Sequence, residues 1–192
     1  MLVDQTVTYL EMTSPDQLNP GRVPPTEITL ERVGATALPL IRSTHDRIGT
    51  PHHWSRLDWS AQRWVDTLSD DGLRSWIARV GAEVAGLLQL KIHPGPEVEI
   101  SVFGLVPEFV GRGFGGHFLT LAVQLAWNVD GAGRVWLHTS SLDHPHALGN
   151  YRKRGFRPVR VERRPREMIF IRSPEDGMIH SVRLPGTTSR SS

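Results

Sequence analysis

Four glycines within six residues, Gly111-Arg112-Gly113-Phe114-Gly115-Gly116, separate an alternating apolar segment (97–106) from a long amphipathic one (about 113–128). A strand that runs through such a cluster into a helix must turn sharply, and glycine permits the positive φ values this requires. Successive backbone N–H groups then line a concavity, and the start of the helix adds partial positive charge. That combination suits a pyrophosphate, with Arg112 available for a further charge contact.

The six residues also satisfy G-x-G-x-x-G, and Asp143 lies near the distance at which a dinucleotide site places its ribose-binding acid. The chain before the turn argues against that reading. Residues 74–80 and 83–91 read as strands joined at Gly81-Ala82, and His93-Pro-Gly-Pro leads into the third strand at 97–106. Short turns between consecutive strands make an antiparallel meander, whereas a dinucleotide fold needs parallel units and more chain after the turn.

Upstream, residues 6–12 and 26–33 alternate as half-buried strands do, with a loop over 14–25. A helix is expected over about 35–47 and another from an N-cap at Ser60, with Trp64 and Leu68 at helical spacing. Downstream, 134–139 is a strand, 146–154 a short helix and 156–161 another strand. Residues 167–172 and 178–183 flank a turn as a terminal hairpin. The expected architecture is one α+β domain over 1–184, with a mostly antiparallel mixed sheet and helices on both faces. The polar tail 185–192 is expected to be disordered.

Composition narrows the chemistry. The chain has no cysteine, which excludes disulfides, thiolate catalysis and a cysteine-carried acyl intermediate, and fits a reducing, cytoplasmic setting. No apolar run approaches the roughly 20 residues needed to span a bilayer. The opening segment lacks the basic start and apolar stretch of a secretion signal. Net charge is +2, and basic residues crowd into 152–166 (Arg152, Lys153, Arg154, Arg157, Arg160, Arg163, Arg164 and Arg166). A solvated face explains that cluster better than nucleic-acid binding. His52, His53, His144 and His146 show no metal-ligand spacing, so no metal is expected.

Two motifs in order resemble the GNAT superfamily of N-acetyltransferases. Val110-Gly-Arg-Gly113-Phe-Gly115 is similar to the family's Arg/Gln-x-x-Gly-x-Gly/Ala, with Val110 in the place of the usual first residue. Ala147-Leu-Gly-Asn-Tyr151-Arg-Lys-Arg-Gly155-Phe156 is similar to its A-x-x-x-Y-x-x-x-G-F. His144 stands where many members have asparagine. The resemblance covers residues 72–162 well and 26–70 loosely.

It implies an acetyl-coenzyme A-dependent acyltransferase acting on a small-molecule or peptide amine, with dimers common among members. Leu105, Val106, Gly111, Arg112, Gly113, Phe114, Gly115 and Gly116 would hold the cofactor, and Phe103 and Gly104 would run beside its pantetheine arm. Tyr151 matches the general acid. Glu99 is the candidate base, placed by alternation on the same strand face as Glu97, Ser101 and Phe103. His138 is a rival for that role. Trp54 and His53 are expected to line the acceptor pocket, with His52 and Trp59 near and Asp58 attracting a cationic amine. The competing expectation is a non-catalytic acyl-coenzyme A sensor on the same fold.

Overall fold

The computed structural model describes residues 2–167, 169–172 and 179–182, so the expected tail at 185–192 lies outside the described residues. The elements are β1 (Leu2–Met12), β2 (Thr29–Val33), α1 (Leu38–Gly49), α2 (Ala61–Leu68), β3 (Leu73–Val80), β4 (Glu83–Ile92) and β5 (Glu97–Leu105). They continue with α3 (Gly115–Trp127), β6 (Arg134–Ser140), α4 (Ala147–Lys153), β7 (Arg157–Glu167), β8 (Ile169–Arg172) and β9 (Ile179–Val182). Each strand and helix read from the sequence is present. β7 is longer than expected, and α1 begins later, after a single 3-10 turn at Ala35–Ala37. Ser60 caps α2, its side chain accepting from the Arg63 N–H.

Seven strands form one sheet in the order β2-β3-β4-β5-β6-β1-β7. The meander β3-β4-β5 is antiparallel, as are β1 with β6 and β1 with β7. Among the described residues only β5 and β6 run parallel, joined by the crossover through α3. β8 and β9 pair antiparallel in a separate two-stranded sheet, and the turn expected between them lies outside the described residues. The first strand fills the place between β6 and β7, where Leu10 lies opposite Leu137 and both are buried.

Helices cover both faces. On β5, Phe103 meets Phe118 of α3, with ring centroids 4.6 Å apart. The next residue, Gly104, points the other way: a Cβ built there would stand 2.5 Å from Cγ2 of Ile48 in α1. α1 and α3 therefore pack on opposite sides of the sheet. Gly104 is glycine because α1 approaches the strand too closely for a methyl.

A bulge corrects one expectation. Gln89 pairs with Val102 but Leu90 pairs with Ile100, leaving Ser101 as the extra residue. Glu99 pairs with Lys91 and Phe103 pairs with Leu88, three positions apart on an unbroken β4. Glu99 thus lies on the α1 face and Phe103 on the α3 face. Strict alternation, which placed them together, fails at the bulge.

Candidate active site

Pairing between β5 and β6 consists of Glu97 with Arg134, Val98 with Val135 and Glu99 with Trp136. Beyond Glu99 the two strands separate. Residues 103–105 stay bonded to β4 on one side, so their β6-side main-chain groups are left without a strand partner. A cleft of about 1040 Å³ opens there.

The glycine turn forms one end of the cleft. Gly111, Gly113, Gly115 and Gly116 line it, and a glycine can do so only with backbone atoms. Gly111 and Gly113 have φ of 78° and 86°, and a Cβ at either would meet nothing within 4 Å. No side chain caps α3, so its first amides and its dipole are available to an anion.

Of the other expected cofactor residues, Leu105 lines the cleft and three do not. Val106 is fully buried; its N–H donates to the Ala85 carbonyl at 2.9 Å and its carbonyl accepts from Phe109 N–H at 2.9 Å. Phe114 is buried in the core. The Arg112 guanidinium lies over the rings of Phe109 and Phe114, 4.8 and 5.7 Å from their centroids, rather than over the turn.

Tyr151, the buried residue of α4, also lines the cleft. Its ring meets Phe103 and Phe156 edge-on. Burial, aided by the Asp143 charge, raises its pKa well above the ordinary 10. Asn150, the preceding residue, donates to the Gly115 carbonyl at 3.2 Å and so fixes α4 against the start of α3.

Asp143, which the sequence offers only as the acid of a dinucleotide site, organises the opposite wall. Its Oδ2 accepts from Thr139 Oγ1 at 2.7 Å and from Ser140 N–H at 2.8 Å, and its Oδ1 accepts from Trp54 Nε1 at 3.0 Å. The end of β6 is thereby tied to the loop after α1. An aspartate four residues after a threonine at a strand end is the available signal, a local turn acceptor. Trp54 lines the cleft as expected, whereas His53 does not, and its carbonyl accepts from Arg166. His53 has φ 54°, and burial lowers its pKa.

Glu99 is mostly shielded and does not line the cleft. One carboxylate oxygen is 2.8 Å from His93 Nε2, and the other is 3.8 Å from Nδ1 of His138, which does line it. Asp58 is exposed and outside the cleft, and the charged residue of that segment that lines the cleft is Arg56. Its Nη1 donates to Gln89 Oε1 at 2.7 Å, and its guanidinium sits 4.9 Å from the Trp59 ring centroid. His45 of α1 completes this wall, only 1% exposed against Trp54 and Trp64, and burial lowers its pKa to about 4. The imidazole is neutral at pH 7. Among the described residues no three His, Asp or Glu side chains gather closely enough to hold a metal, and no helix is long and apolar enough to cross a membrane.

The sequence profile of the acetyltransferase (GNAT) family matches residues 41–156, more than half of the chain. The chain belongs to this family. Solved structures with the same fold include a GCN5-related N-acetyltransferase from Sphaerobacter thermophilus, at 15% identity and TM-score 0.59 over 84% of this chain and 51% of that one. Another GCN5-related N-acetyltransferase, from Kribbella flavida, is 16% identical with TM-score 0.58, over 82% of this chain and 56% of that one. An aminoglycoside acetyltransferase from an uncultured soil metagenomic sample, solved with sisomicin, is 16% identical with TM-score 0.53, over 65% of this chain and 85% of that one. This GNAT chain spans only about half the length of the first two. No curated protein matches its sequence.

Proposed function

We propose that this GNAT chain transfers an acetyl or related short acyl group from acetyl-coenzyme A to a primary amine, by direct attack in a ternary complex. The reading rests on one observation: the gap between β5 and β6 runs from a main-chain-lined glycine turn to a buried tyrosine. The residues fit the co-substrate. Backbone amides of the turn would take the diphosphate, and the free edge of β5 at 103–105 would hold the amide-rich pantetheine arm as an added strand holds its neighbour.

The amine nitrogen attacks the thioester carbonyl, the C–N bond forms, and the C–S bond breaks as the tetrahedral intermediate collapses. The amine proton passes through His138 to Glu99, whose 3.8 Å separation closes to hydrogen-bond length with a shift of about 1 Å. Tyr151, kept protonated by its raised pKa, donates a hydrogen bond to the departing sulfur. With no cysteine in the chain, a covalent acyl-cysteine is not available.

The test is thiol release from acetyl-coenzyme A across a panel of amines. Tyr151→Phe is expected to lower kcat about 100-fold, the usual weight of a positioned proton donor, with the loss in kcat rather than in acetyl-coenzyme A affinity. Tight binding of acetyl-coenzyme A with no amine acetylated would instead make the chain an acyl-coenzyme A sensor.

A further inference from the structure

We infer that the acceptor amine carries an oxyanion, a carboxylate or a phosphate-like group, and that Arg56 docks it. This deepens the acyl-transfer reading and rests on it.

Arg56 is a half-buried cation whose partners are neutral. Gln89 fixes one guanidinium nitrogen, and Gln89 is itself fully buried and held by Ser75, its Nε2 donating to Ser75 Oγ at 3.0 Å. Trp59 takes one face of the guanidinium. Among the described residues no carboxylate forms an ion pair with it, and Glu99 acts on it only through space. Burial of a charge without a counter-ion is costly, and a protein that retains such a group in a cleft holds it ready for an anion. Arg56 is oriented by a chain of hydrogen bonds anchored in the sheet, so little freedom remains to be lost on binding.

The co-substrate is not the anion for which Arg56 is placed. Gln89 pairs with Val102 on the α1 face, while the glycine turn opens α3 on the other face. Val102 also lies three residues, about 10 Å, down β5 from Leu105, where the chain approaches the turn. Arg56 therefore stands on the acceptor side of the gap between the strands.

The remaining charge agrees. Among the described residues the cleft is lined by Arg56, Lys153, Arg164 and Arg166 but by only one acid, Asp143. Asp143 already accepts three hydrogen bonds, Arg164 pairs with Glu162, and Arg166 donates to the His53 carbonyl. A polycationic acceptor would meet one carboxylate already in use, and four cations. An acceptor with an anionic group meets a guanidinium fork of matching geometry.

Matched acceptors decide the matter: glycine and phenylalanine against their amides, aminomethylphosphonate as the phosphate-like arm, and a polyamine as the cationic arm. The anionic member of each pair should show kcat/KM about 10- to 100-fold higher, the range for one charge-assisted contact. Arg56→Gln should collapse that ratio through KM, and Arg56→Lys should restore part of it. If phosphonate outruns carboxylate the docked group is phosphate-like, and the reverse identifies a carboxylate; both uphold the proposal.

Faster turnover of amides or the polyamine overturns it and leaves acyl transfer standing. If no amine turns over, tryptophan fluorescence of the protein saturated with acetyl-coenzyme A reads docking directly, because Trp59 lies on the guanidinium. Quenching by the acids that is lost in Arg56→Gln upholds anion docking even as acyl transfer fails. Equal response in both proteins refutes it.

Discussion

Gly104→Ala tests how tightly α1 is set against the strand that walls the cleft. The added Cβ would stand 2.5 Å from Ile48 Cγ2, about 1 Å or more inside the preferred carbon–carbon separation. Ile48 is 4% exposed, and a Cβ on the adjacent Gly49 would meet Trp54 Cβ at 2.9 Å, so the end of α1 has close neighbours on both sides. Overpacking of this kind costs about 1–3 kcal/mol. Alanine regains about 0.5–1 kcal/mol over glycine in a strand. The expected net loss centres on about 1 kcal/mol within a range of about 0–2.5, a Tm lowered by about 2–4 °C at the centre for a chain of this size.

Urea and thermal unfolding of Gly104→Ala, Ile48→Ala and the double variant measure it. Ile48→Ala alone leaves a cavity costing about 2–5 kcal/mol. In the double variant the new methyl enters that space, so the two losses should fall short of additivity by about 1–3 kcal/mol. Strict additivity in the double variant would refute the close approach of α1.

His45 sets an acid limit on stability. Its native pKa of about 4 lies below the 6.5 of the unfolded chain, so between those values the unfolded state takes up a proton that the native state refuses. Stability should fall by up to about 3 kcal/mol as pH drops from 6.5 to about 4, and denaturant titrations of His45→Phe should show a flatter decline. Asp143→Asn removes the nearby negative charge from Tyr151, so the tyrosine ionises at lower pH while burial keeps it above 10. Near-ultraviolet difference titration against Tyr151→Phe reads it, and no downward movement would mean that Asp143 does not act on that ring.

The sequence was most legible where local chemistry decides. Glycine spacing marked the turn, Ser60 marked the start of α2, and alternation marked each strand of the meander. It was silent on the place of β1 between β6 and β7, because an alternating strand carries no label for its neighbour. The same limit hid Asp143 and Arg56. Asp143 has local partners in Thr139 and Ser140, but the contact that ties it across the cleft is to Trp54, 89 positions away, and Gln89 lies 33 from Arg56. Asp58, expected to face the acceptor pocket, is exposed, and Arg56 of the same segment lines the cleft. Four consecutive residues in a 3-10 turn offer no apolar periodicity from which to tell inside from outside.

One extra residue connects these outcomes. Without the bulge at Ser101, Glu99 would share the α3 face with Phe103, away from Arg56, His138 and the acceptor side. With it, β5 presents its acidic end to one face and its glycine-turn end to the other. The gap beyond Glu99 then joins the two through the sheet. In the proposed reaction a thioester held on the α3 side and an amine held on the α1 side would meet within that gap. On the proposed reaction, the interrupted strand pair is where the two reactants would meet, and the bulge sets which side chains would face each of them.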